Sequence, residues 1–166
     1  MGNSGAHLTA ADEARARALE SKVRLRRSVL VWHQALGFVT LAGLAAACVI
    51  GQLNYDDKYL SGTDNGRFYN AHLGLGVGTG ALFAVTGILA LAAPNPYPKP
   101  IKFDTALLHK LAMALATAGM VAQMVLGPIT AAREGKLDQR QWATAHLVTG
   151  YATFGFMATG VLAYVF

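Results

Sequence analysis

Among side chains able to do chemistry, the histidines form the most regular set in this sequence. Four of the five, His33, His72, His109 and His146, follow one another at intervals of 39, 37 and 37 residues, each inside a long stretch almost free of charge. Imidazole binds metals and carries protons near neutral pH, and an ionisable group inside an apolar segment of membrane length is costly to keep there. One such histidine alone is as readily a satisfied packing residue as a ligand. Four, one per apolar stretch at matched positions, point to a common purpose. The fifth, His7, lies in a polar tail with no partner in sight and reads as solvated.

The elements that must position these histidines follow from where the charges lie. Of 166 residues, 54% are hydrophobic and 14% charged, against about 25% charged in an average soluble domain. A disordered chain is excluded and an ordinary soluble globule disfavoured. Glycine is abundant, at 18 residues, but has no Gly-X-Y period, so collagen is excluded. Apart from Lys110, every Asp, Glu, Lys and Arg falls outside four stretches: Ser28 to Asn54, Phe68 to Asn95, Thr105 to Ala132 and Gln141 to Phe166. Each has at least 26 residues, and about 20 suffice to cross the hydrocarbon core. The sequence therefore predicts an all-α membrane protein, a bundle of four transmembrane helices. Residues 1–27 form a basic N-terminal helical tail and residues 28–166 the membrane domain. The connections, Tyr55 to Arg67, Pro96 to Asp104 and Arg133 to Arg140, are short, which makes each helix antiparallel to the next in an up-down-up-down order.

The tail has neither the apolar core nor the cleavage site of a signal peptide. Met-Gly at its start raises myristoylation, but Ala6 stands where Ser or Thr is wanted. From Thr9 the tail reads as helix, capped by Thr9 with Asp12 three residues on, and with Glu13/Arg17 and Glu20/Arg24 as i,i+4 pairs. Lys22, Arg24, Arg26 and Arg27 either set topology or bind anionic headgroups. The N-terminal side carries nine Lys and Arg against five on the other. The positive-inside rule then puts both termini in the cytoplasm, the expected location being a bacterial inner membrane. The net charge of +5 reports topology rather than nucleic-acid binding. One cysteine, Cys48, excludes an intrachain disulfide.

In such a bundle His33 and His109 share one level, near the N-terminal face, and His72 and His146 share the other. Neighbouring helices about 8–10 Å apart leave a diagonal of roughly 11–14 Å. That is too wide for two imidazoles to share a zinc ion without distortion, with Zn–N bonds of about 2 Å. It suits two imidazoles approaching a haem iron from opposite faces, hence two haems, one near each surface. Gly37, Gly76 and Gly150 lie four residues after their histidines, with Ala112 and Ala116 on the third helix. Small residues there clear space for a porphyrin or allow close helix packing. Gly76 to Ala81 matches G-x-G-x-x-A, but no strand precedes it. No C-x-x-C-H occurs, so the haems would be non-covalent haem b. Two axial histidines favour electron transfer over oxygen activation.

The segments WHQALGF, NAHLGLG, LLHKLAM and TAHLVTG, one histidine near the start of each of four successive helices, resemble the core of the cytochrome b561 family. The resemblance spans roughly Ser28 to Phe166. It implies a di-haem b-type cytochrome, an electron-transfer oxidoreductase, with His33 and His109 on one iron and His72 and His146 on the other. The eukaryotic family has six helices and often oxidises ascorbate; this chain has four and no clear ascorbate motif. The partners implied are membrane lipid and a separate electron donor and acceptor, whether quinol, small reductant or redox protein. A homodimer and a subunit of a larger complex both stay open. Two rival readings are a membrane-anchor subunit of a quinone-linked dehydrogenase and a haem-free transporter or assembly factor. The first commonly clusters its ligands on fewer helices; the second is expected to place carboxylates in its spans, and none is present.

Several residues are secondary candidates. Lys110 either neutralises a haem propionate or snorkels to the interface. Lys99, Lys102 and Arg27 either draw an anionic donor or serve only as topology signals, and Arg67 and Arg140 are similarly placed at the other face. Gln123, 14 residues beyond His109, falls at the depth of the outer pair, where it hydrogen-bonds or serves as packing glue. Met120 and Met124 are soft donors better read as packing. Trp32, Tyr69 and Trp142 are interface anchors.

Overall fold

The computed structural model describes residues 9–62, 65–97, 100 and 102–164. The Met-Gly start, His7 and Lys99 lie outside the described residues. Four helices account for nearly all of these: α1 (Ala10–Tyr59), α2 (Tyr69–Ala92), α3 (Thr105–Ala132) and α4 (Gln139–Leu162). Among the described residues there is no strand.

Helix α1 starts as the sequence indicates. The Thr9 hydroxyl accepts from the Asp12 amide and the Asp12 carboxylate accepts from the Thr9 amide, a reciprocal capping box. The Thr9 hydroxyl and amide bonds hold the Asp12 carboxyl below the usual carboxylate range. Glu13 and Arg17 pair one turn on, at 3.6 Å. No break follows. The tail runs into the first apolar stretch as one helix of 50 residues, about 75 Å at 1.5 Å per residue. This corrects one expectation: His72, His109 and His146 lie in the first two turns of α2, α3 and α4, whereas His33 lies 23 residues into α1. No Gly or Pro stands between Ala10 and His33 to stop the helix.

Three helices, α1, α2 and α3, are long and apolar enough to cross a membrane. Helix α4 has 24 residues, but Gln139, Arg140, Gln141 and its threonines dilute its apolar content. Aliphatic side chains face outward as well as inward, and threonines share the interior with Leu44, Phe83, Met120 and Met157. Thr40, Thr79, Thr86 and Thr153 are buried, while Val31, Phe38, Val77, Ile88, Leu115 and Val148 are exposed. Three of these threonines return their hydroxyls to the carbonyl four residues back, Thr40 to Leu36, Thr86 to Leu82 and Thr153 to Thr149, each at 2.7 Å. An aliphatic exterior around an interior whose hydroxyls are bonded to their own helix suits a lipid surround.

The substantial interfaces among the described residues are α1–α2, α3–α4 and α1–α4. They make two antiparallel hairpins, α1–α2 and α3–α4, and the second repeats the first. Adding 76 to a position in α1 gives its counterpart in α3: His33 to His109, Gly43 to Gly119, Leu44 to Met120, Gly51 to Gly127. Adding 74 takes α2 to α4: His72 to His146, Gly76 to Gly150, Thr79 to Thr153, Phe83 to Met157, Thr86 to Gly160. The same contacts recur. A Cβ on Gly43 would fall 2.7 Å from the Thr79 hydroxyl, and one on Gly119 would overlap the Thr153 hydroxyl. Each hairpin thus seats a buried threonine on a bare backbone, the close approach that small residues permit.

Candidate functional site

The hairpin packing fixes each histidine through its own backbone surroundings. The His33 Nδ1 lies 2.9 Å from the Thr86 carbonyl, the His72 Nδ1 3.2 Å from that of Ala47, and the His109 Nδ1 2.7 Å from that of Gly160. A carbonyl only accepts, so these three imidazoles donate from Nδ1, and in the neutral ring the lone pair is then on Nε2. Metal-ligating histidines are oriented in this way, the non-ligating N–H tied to a carbonyl. His146 differs: its Nδ1 is buried with no hydrogen-bond partner.

Between hairpins the four rings meet in two pairs. His33 and His109 have ring centroids 6.1 Å apart, and His72 and His146 5.8 Å, both with an interplanar angle of 82°. Two imidazoles facing each other across one metal, with metal–nitrogen bonds of about 2 Å, would place their ring centres about 6 Å apart. Aromatic edge contacts span the same range, so distance alone does not select a metal. With Nδ1 bonded to a carbonyl, the nitrogen left free to accept in His33, His72 and His109 is Nε2. Among the described residues no group of three or more His, Cys, Asp or Glu could hold a metal ion. Each site is therefore a pair of imidazoles with no further protein ligand of those types, a donor set that fits a metal already carrying its equatorial ligands.

The two levels are well separated. His33 lies 14 residues before Ala47, the residue whose carbonyl meets His72, which is about 21 Å along the helix. Leu44, Phe83, Ala116, Met120 and Met157 pack together between the levels, flanked by Leu41, Met113 and Phe154. Met120 is thus a core residue, and Met124 is 68% exposed, which places neither at a histidine pair. Tyr164 packs edge-on against His109 at 4.6 Å between centroids, a contact absent from the sequence reading.

The small residues near the histidines divide by role. A Cβ on Gly37 would touch the Thr86 methyl at 3.9 Å, one on Gly150 would touch the Gln123 amide at 3.6 Å, and one on Gly76 would meet nothing within 4 Å. Ala112 and Ala116 are buried. Sequence reasoning overlooked Gly51 and Gly127, which face the histidine rings most directly. A Cβ on Gly51 would lie 2.7 Å from His72 Cε1, and one on Gly127 3.5 Å from His146 Cε1. The signal was present as the paired segments AGLAAACVIG (42–51) and AGMVAQMVLG (118–127).

Charged and anchoring candidates lie at the periphery. Lys110, Lys102 and Arg27 are exposed, as are Arg67 and Arg140; Arg67 stacks over Phe68 at 5.0 Å. Arg26 donates to the Pro94 carbonyl at 2.6 Å, tying α1 to the α2–α3 connection. Trp32 and Tyr69 are exposed, at 62% and 47%, and Trp142 donates to Asp138. At the His72–His146 end, Tyr151 donates to Gln52, Gln52 to Asp56, and Lys58 pairs with Glu134. No family model, curated protein or solved structure matches this chain.

Proposed function

We propose that this protein is a di-haem b-type cytochrome, similar to the cytochrome b561 core, that carries electrons across a membrane. The observation that carries the reading is the pairing of four interior histidines into two bis-imidazole sites, three of the four with Nδ1 bonded to a backbone carbonyl. His33 and His109 would hold one haem, His72 and His146 the other. Bis-imidazole haem supplies one-electron iron chemistry with no vacant position for oxygen. The chain's own residues orient the ligands, direct the neutral ring's lone pair to Nε2 and fill the space between the levels with apolar side chains that exclude water. Gly37, Gly76 and Gly150 keep bulk away from the sites, and Lys110 is placed to meet a haem carboxylate.

All four helices cross the membrane in this reading, α4 included. Its exposed Val148, Tyr151, Phe156 and Leu162 and the aliphatic exterior of the bundle support that reading. The excess of Lys and Arg on the N-terminal side supports cytoplasmic termini. Electrons enter from a separate donor and leave to a separate acceptor. The test is a reduced-minus-oxidised spectrum of the purified chain with haem quantified per polypeptide. Two b-type haems are expected; none would overturn the reading.

A further inference from the structure

The two hairpins depart from their repeat at one histidine, and the residue that separates them there is Gln123. Ala47 and Gln123 are repeat counterparts, each 14 residues after the histidine of its own helix. In α1–α2 the Ala47 carbonyl takes the His72 Nδ1–H. The equivalent acceptor for His146 is the Gln123 carbonyl, yet the His146 Nδ1 is buried and unbonded. The spacing at this level agrees. From the built Cβ of Gly51 to His72 Cε1 is 2.7 Å, whereas from Gly127 to His146 Cε1 is 3.5 Å. His146 therefore stands farther from α3 than His72 does from α1.

The Gln123 side chain occupies the gap that results. Its amide donates to the His146 carbonyl at 2.8 Å, and it fills the space over Gly150, where a Cβ would meet it at 3.6 Å. Over the counterpart Gly76 no atom lies within 4 Å of such a Cβ, because Ala47 is too short to reach. We infer that Gln123 is a positioning residue: its side chain holds α4 off α3, so that His146 alone among the four histidines keeps an unbonded Nδ1–H.

The consequence rests on the haem reading above. A hydrogen bond accepted from the Nδ1–H makes an imidazole a more basic ligand and favours the oxidised metal. The His33–His109 site has two such bonds, at 2.9 and 2.7 Å, and the His72–His146 site one longer bond, at 3.2 Å. The His72–His146 site is then the more oxidising, and electrons run downhill from the N-terminal level toward it.

A spectroscopic redox titration of the full-length haem-loaded protein tests this. Two components of unequal midpoint are expected, with the higher one missing in His146→Ala and the lower one missing in His109→Ala. Gln123→Ala removes the spacer, lets His146 reach the carbonyl, and should move only the higher midpoint downward. Gln123→Leu keeps the bulk without the amide and should leave it near its original value. Coincident midpoints, the reverse order, or an unmoved higher midpoint in Gln123→Ala would overturn the inference while leaving the haems intact. A protein with no haem would overturn the parent reading itself.

Discussion

In the α1–α2 hairpin His72 bonds to Ala47 and presses against Gly51; in α3–α4 His146 has no Nδ1 partner and more room beside Gly127. At the other level the order of tightness is reversed. His109 is nearer its carbonyl, at 2.7 Å, than His33 at 2.9 Å, and the Thr40–Thr86 contact of the first hairpin is replaced by Ala116 and Gly160 in the second. Two copies of one helical hairpin have thus kept their histidines and threonine seats while changing the residues between. Gly43/Gly119 and Thr79/Thr153 are retained where backbone meets side chain at close range, whereas Leu44/Met120 and Phe83/Met157 exchange one apolar core side chain for another. A repeated scaffold can in this way offer two sites of the same ligands with unequal surroundings.

Removing ligands is the harshest way to break the comparison. His33→Ala and His109→Ala should each abolish the same spectral component, and His72→Ala and His146→Ala the other, taking haem from two per chain to one. If His33 and His72 shared a component, pairing between hairpins would be wrong. Next is the contrast between Gly51→Ala and Gly127→Ala. A methyl at 51 meets a His72 ring held by its own hydrogen bond and leaves it no room, so the His72–His146 component should be lost or severely depleted. At 127 the methyl makes ordinary contact with His146, and haem content should be unchanged. Equal losses in the two variants would refute the wider spacing in the second hairpin.

Smaller effects fall on stability. Gly119→Ala forces a methyl into the hydroxyl of Thr153, which is fully buried and committed to the Thr149 carbonyl. A cost of about 1–3 kcal/mol is expected from such overpacking, read as a lower melting temperature in detergent. Gly43→Ala meets the Thr79 hydroxyl at 2.7 Å and should cost less. Thr40→Ala is the mildest: the 3.4 Å contact with Thr86 is long, the second hairpin already has Ala116 there, and about 1 kcal/mol or less is expected.

The membrane-length stretches were legible because each is a long, nearly uncharged run between charged segments, and the Thr9–Asp12 cap because its residues lie three apart in sequence. The continuity of α1 was misjudged at His33, since a basic segment and an apolar one differ in composition without differing in helical propensity. Helix α4 is uncharged from Gln141 onward like the other stretches, but its threonines and polar first turn make it less apolar. The histidine levels were legible too, from the intervals and the antiparallel order. What escaped was the repeat, because Leu44/Met120 and Phe83/Met157 share volume and burial but not identity.

By itself the sequence determined which residues avoid charge, which histidines share a level and that no carboxylate lies in the apolar stretches. These are properties of order along the chain, and periodicity carries them. Only the tertiary structure decided which backbone carbonyl each Nδ1 meets, that Gly51 and Gly127 rather than Gly76 back the rings, and that Gln123 separates α4 from α3 at His146. Those depend on differences of under an ångström between packed helices, set by the summed volumes of side chains far apart in sequence.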